Sequence, residues 1–297
     1  MNNLQKYLST CVLAMAALVV GASPAFAASS APSLGAASNF AVLSTLTTSP
    51  GAVTCTDSTI DGDVGTASSN PLSVTQTRCT ISGAIITPVS AGVIADFNSA
   101  YDAYANIACT DWLLPAYTDT TLTLVPGVYC NDAGVTFTDT TLILQGNANA
   151  VWIFKIGTGG TGALTGTNFS VIMANGGDPC NVFWWVAQAV TMTTSGFQGT
   201  ILAGAAITMT GLAGPTTAFN GNALAKAAVT LTNFTVTGCE SGTPIPPTPK
   251  QRCNQGVGNG PEGCDPGKSN QGEPSRSNDE VVGATSGDPG RKGGNGK

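Results

Sequence analysis

One short phrase is written three times between Ala189 and Gly238: AVTMT at 189–193, AITMT at 206–210 and AVTLT at 228–232, each leading toward a phenylalanine, Phe197, Phe219 or Phe234. Repeats set 17 and then 22 positions apart constrain the chain to stacked coils, each burying its apolar side against the next, rather than one closed globular sheet. In a strand, alternation turns Val190, Met192 and their equivalents inward. Thr191, Thr193, Thr208, Thr210, Thr230 and Thr232 then point outward in two parallel rows. With strands about 4.8 Å apart and alternate residues about 6.7 Å apart, such a face is a regular lattice of hydroxyls and methyls.

The first residues predict export. Lys6 precedes an apolar run from Cys11 to Val20, and the run ends near Ala25-Phe26-Ala27, the small-x-small pattern at which a signal peptide is cut. The mature chain is expected to start at Ala28 and to be secreted, with no segment long enough to insert in a membrane. Of nine cysteines, Cys11 falls in the signal peptide, so an even number reaches an oxidising compartment and disulfides are expected. Cys55 with Cys79 and Cys109 with Cys130 are plausible neighbours, but spacing does not fix connectivity. Without histidine and without a CxxC pair, a zinc site is disfavoured.

Charge narrows the partners. Between Ala28 and Glu240 the only basic residues are Arg78, Lys155 and Lys226, which excludes a basic groove for nucleic acid. Beyond Glu240 the composition changes: 241–250 is a proline-rich linker, and 251–297 is dominated by Gly, Asn, Pro, Ser and charge, too polar to bury a core. Cys253 and Cys264 lie in that tail. The domain therefore runs from 28 to 240.

Within it, the stretches 34–47, 120–129, 140–157 and 168–177 alternate small or polar with apolar residues, as short strands do. Ser90 to Ala108 differs: Val93, Phe97, Tyr101, Tyr104 and Ala108 fall at helical spacing, predicting a helix whose aromatic stripe packs on a β face. In Val182-Phe183-Trp184-Trp185, alternation buries one tryptophan and leaves the other exposed.

Chemistry is sparse. Lacking histidine, the chain lacks the commonest general base and the Ser-His triad. Asp57, Asp61 and Asp63 are the densest acidic group of the domain; they could serve a carboxylate mechanism, but Gly-Asp runs of this kind are more often tight turns. No catalytic residue, cofactor or metal ligand is assigned.

The ordered segments LGAASNFAVLS, IDGDVG, AGVIADFNSAYDAY, LVPGVY, NANAVWIFKIG, CNVFWWVAQAVTM, FQGTILAGAAITM and FNGNALAKAAVTL, spread from Leu34 to Gly238, resemble successive signatures of the microbial ice-binding protein family. The resemblance implies a mainly β fold: a right-handed discontinuous β-solenoid with one long α-helix packed alongside. It also implies a secreted, non-enzymatic monomer whose partner is the surface of an ice crystal. In that family a Thr-Ala/Gly-x-Thr/Asn pattern often marks the ice-contacting strands. Here it stands as Thr165-Gly166-Thr167-Asn168, while Thr230-Leu231-Thr232-Asn233 and Thr193-Thr194-Ser195-Gly196 depart from it. The expected ice-binding set is thus Thr165, Asn168, Thr191, Thr193, Thr208, Thr210, Thr230, Thr232 and Asn233. The competing expectation is an adhesion protein that binds carbohydrate or cells through the same face.

Overall fold

The computed structural model describes residues 30–47, 51–213 and 217–239. The expected signal peptide, linker and tail, with Cys253 and Cys264, lie outside these residues. What is described is a three-faced stack of parallel strands with one helix, α1 (Ala91–Ala105), along one face.

The helix-covered face has nine strands in the order Ile85–Ile86, Asp63–Thr66, Phe40–Ser44, Ala223–Ala225, Thr200–Ala203, Val182–Val186, Trp152–Ile156, Gly127–Asn131 and Asp111–Trp112. This order is discontinuous. The chain enters mid-stack at Phe40–Ser44, climbs to one end at Ile85–Ile86, crosses through α1 to the other end at Asp111–Trp112, and coils back until Ala223–Ala225 pairs with Phe40–Ser44. Nine strands span about 38 Å, more than the roughly 22 Å of a 15-residue helix. The segments 87–90 and 106–110 make up the difference.

α1 is shorter than the expected Ser90 to Ala108. Ser90 caps it, its Oγ accepting from the Val93 N–H, and Ala108 lies beyond its end, exposed. Val93, Phe97, Ala100, Tyr101 and Tyr104 are buried on the outer side of the strands. Basic residues clamp the helix end. Lys155 Nζ donates to the Ile107 carbonyl (2.5 Å), and Lys226 sits 3.8 Å above the Tyr101 ring, an attraction of cation for π face. The expectation of one exposed tryptophan is corrected here: Trp184 is fully buried inside the stack and Trp185 is 7% exposed. Alternation does send Trp185 outward, but on a face that α1 covers, with the Tyr101 ring 5.3 Å away.

Inside, aromatic rings stack from coil to coil. Phe137 lies on Phe169 (4.3 Å between centroids) and Phe154 on Trp184 (3.9 Å). The disulfides Cys55–Cys79 and Cys109–Cys130 each link residues of adjacent coils, and Cys180–Cys239 ties the last third-face strand to the coil before Val182–Val186. Corners require special backbone. Gly221 has φ +153°, and a Cβ placed there would sit 2.1 Å from the Gly199 carbonyl oxygen. Gly221→Ala should therefore cost about 3 kcal/mol of stability, read from the urea midpoint, because strain and overlap act together.

The packing of α1 also sets the response to base. Burial pushes the Tyr101 hydroxyl up to about 12 from 10.0 and raises Tyr104 and Tyr129, while it lowers Lys155. Between about pH 10 and 12 the unfolded chain loses tyrosine protons that the fold keeps, so stability falls as pH rises; Lys155 opposes this more weakly, being one group against three. Urea midpoints measured at successive pH values should decline between about pH 10 and 12.

Candidate functional site

The second face is built from eight strands: Val74–Thr77, Val53–Thr56, Val229–Thr232, Ile207–Thr210, Val190–Thr193, Leu164–Thr167, Val135–Thr138 and Ala116–Thr118. All pair in parallel, and no ladder on this face shifts register. Residues that alternate outward therefore line up across the whole stack. One row runs Thr75, Thr54, Thr230, Thr208, Thr191, Thr165, Thr136 and ends on Ala116; the other runs Thr77, Thr56, Thr232, Thr210, Thr193, Thr167, Thr138, Thr118. Fifteen of the sixteen positions are threonine.

The inward partners explain why the face holds its shape. Val53, Cys55, Val190, Met192, Ile207, Met209, Val229 and Leu231 are fully buried and anchor the four adjoining strands from Val53–Thr56 to Val190–Thr193. β-branched threonine favours this extended backbone and has few rotamers to lose. Among the described residues, none of the fifteen hydroxyls bonds to another protein group, so each keeps a donor and two lone pairs for water. Both rows are free of charge.

A polar border closes one side. After seven of the eight strands, all but Ile207–Thr210, the chain turns through a left-handed residue: Asp57, Asn233, Thr194, Asn168, Asp139 and Asp119 have φ between 46° and 57°, as does Arg78 at 48°. Asn and Asp tolerate this conformation better than most residues. Their side chains bond along the stack. Asn168 Nδ2 donates to Asp139 Oδ1 (2.8 Å), the Thr194 hydroxyl donates to Asn168 Oδ1, and Arg78 forms a two-point pair with Asp57 that holds the carboxyl below its ordinary range. One residue further on, the buried Ser58 and Ser195 hydroxyls donate to the Thr56 and Thr193 carbonyls and accept from the Phe234 and Phe169 N–H groups. These bonds fix the corners that follow Thr56 and Thr193.

Of the residues expected from sequence, Thr165, Thr191, Thr193, Thr208, Thr210, Thr230 and Thr232 stand in the two rows. Asn168 and Asn233 stand beside them, at left-handed corners. Sequence reasoning missed Thr54, Thr56, Thr75, Thr77, Thr118, Thr136, Thr138 and Thr167. A signal for most of them was present: Val-Thr-x-Thr recurs at Val53, Val74 and Val135 as it does at Val190 and Val229, but the crossing through α1 breaks the spacing. Among the other candidates, Asp61 accepts from the Ser82 hydroxyl (2.6 Å) and Asp63 from the Ala84 N–H (2.7 Å). Gly62 between them has φ +127°, the corner that a tight-turn reading anticipates. Among the described residues no cluster of three metal-ligating side chains occurs, and no helix is long and apolar enough to cross a membrane.

A profile of the ice-binding-like family matches residues 20–237. An ice-binding protein of Flavobacterium frigoris (strain PS1) is 31% identical over 192 residues, and one of Nostoc sp. (strain HG1) is 34% identical over 188. The matches cover 59% and 62% of this chain, and 66% of each relative, just under two thirds of its length. The crystal structure of an ice-binding protein from the Antarctic ascomycete Antarctomyces psychrotrophicus superposes with a TM-score of 0.58 at 31% identity, covering 70% of this chain and 98% of that one. That of an ice-binding protein from an Antarctic Flavobacteriaceae bacterium gives 0.58 at 35% identity, covering 70% and 47%.

Proposed function

The chain belongs to the ice-binding-like family, and from that premise we propose that it adsorbs to ice through the two threonine rows, slowing the growth and recrystallisation of crystals outside the cell. The observation that carries this reading is the unshifted register of eight strands, which sets fifteen threonines at one repeat. Isolated sheets twist, and stacking in a solenoid is one of the few ways to keep a wide face flat.

On such a face the methyls repel water sideways while each hydroxyl anchors one molecule. The result is an ordered layer that can merge with a crystal. Each water-mediated contact is weak, but the rotamers and the backbone are already fixed, so little entropy is lost on binding. A single exported chain holds the full array, and the process needs no catalysis and no cofactor.

The deciding experiment is ice growth in a nanolitre osmometer with purified protein whose fold is verified by circular dichroism. A gap between melting and freezing points, with faceted crystals, is the expected result. Unshaped growth from folded protein, together with retention on a glycan array, would overturn the reading in favour of carbohydrate adhesion.

A further inference from the structure

The two ends of the stack match one another. In a parallel ladder alternate residues bond to opposite neighbours. At one end, the Pro115 carbonyl accepts from the Thr136 N–H and the Asp119 N–H donates to the Thr138 carbonyl, which leaves the backbone groups of Ala116 and Thr118 facing away from the stack. At the other, the Thr77 carbonyl accepts from the Asp57 N–H, which leaves those of Val74, Gln76 and Arg78 facing outward. A second copy shifted along the stack axis would set the Arg78 N–H against the Thr118 carbonyl, repeating the contact that Asp57 makes with Thr77.

Side chains continue in the same register. Arg78 and Asp119 are the two termini of the left-handed corner row, and both are exposed. The Arg78 side chain is 72% exposed while it holds Asp57, and its five donors leave capacity for a second carboxylate. Ile86 and Trp112 end one column of the helix-covered face, at 37% and 58% exposure. Ile81 and Leu122 end an inward column of the third face, each only half-buried. One position is mismatched: Asp111 would meet Ile85, although its carboxylate already accepts from the Trp112 N–H (2.8 Å).

We propose that this protein associates head to tail with further copies of itself, the Ala116–Thr118 end of one chain seated on the Val74–Thr77 end of the next, with Arg78 and Asp119 paired across the junction. The contact is heterologous and non-closing, so it builds short chains whose length rises with concentration. Exposed strand edges are available for such pairing in general, and here short terminal strands keep it weak. The contact stands whether or not the threonine face binds ice.

The test is sedimentation velocity of the full chain over a concentration series, at low and high salt. The wild-type average mass should rise with concentration, and less so in high salt. Arg78→Glu alone and Asp119→Arg alone should each remain monomeric, because each then presents like charges to its own copies. An equimolar mixture of the two, or the double variant, should regain association, since oppositely charged ends meet again. Equal melting temperatures establish that the variants fold. A wild-type mass that stays at the monomer value up to about 1 mM, or association that the single variants keep, would overturn the proposal.

Discussion

Thr208→Tyr is expected to abolish ice shaping and to remove most of the freezing gap, while leaving the melting temperature of the protein unchanged. Thr208 stands in the middle of its row, paired with Thr230 on one side and Thr191 on the other. A phenol ring at this point stands above the plane of both rows and holds the neighbouring threonines away from any flat partner. The inward residues of that strand, Ile207 and Met209, are untouched and fully buried, so the fold loses nothing. The same substitution at Thr235, on the third face, should leave the gap intact. An unchanged gap for Thr208→Tyr, measured in the osmometer on folded protein, would show that another face meets the ice.

Trp184→Ala should do the reverse and act first on stability. The indole is fully buried, stacks on Phe154 at 3.9 Å, lies 4.9 Å from Phe197, and donates from Nε1 to the Gln198 carbonyl (2.9 Å). Truncation removes the ring and orphans that carbonyl, at a cost of about 3–5 kcal/mol for a large aromatic core residue. For a domain of this size such a loss lowers the melting temperature by roughly 10 °C or more. Urea unfolding checks the magnitude. Below its melting point the variant should still shape ice, because the cavity lies inside the stack under the helix-covered face, while the threonine rows lie on the outer side of a different sheet. A midpoint shift under about 1 kcal/mol would mean that neighbouring rings collapse into the space.

Much of this division was legible before the structure. The phrase Val-Thr-Met-Thr states which side chains face the core and which face water, and the structure places Val190 and Met192 inside and Thr191 and Thr193 outside. The helical spacing of Phe97, Tyr101 and Tyr104 likewise stated a buried stripe. What alternation could not state is what covers an outward residue. Trp185 and Thr193 both point away from the stack, but α1 covers one and nothing among the described residues covers the other. Asn168 and Asn233 show a second limit. The family pattern suggested them as ice contacts, and only the structure shows that both also turn a corner in the left-handed conformation.

The sequence by itself therefore determined the local facts of this protein: the period of two that sorts each strand into core and surface, the period of the helix, and the small set of residues able to turn a corner. Each depends on a residue and its near neighbours along the chain. Only the tertiary structure decided how far the threonine array extends. Thr54 lies beside Thr230 because the chain begins in mid-stack, crosses through α1 and returns to pair with its own first coils. Neighbours across a parallel stack are set by where the chain re-enters, a long-range closure that no local period records.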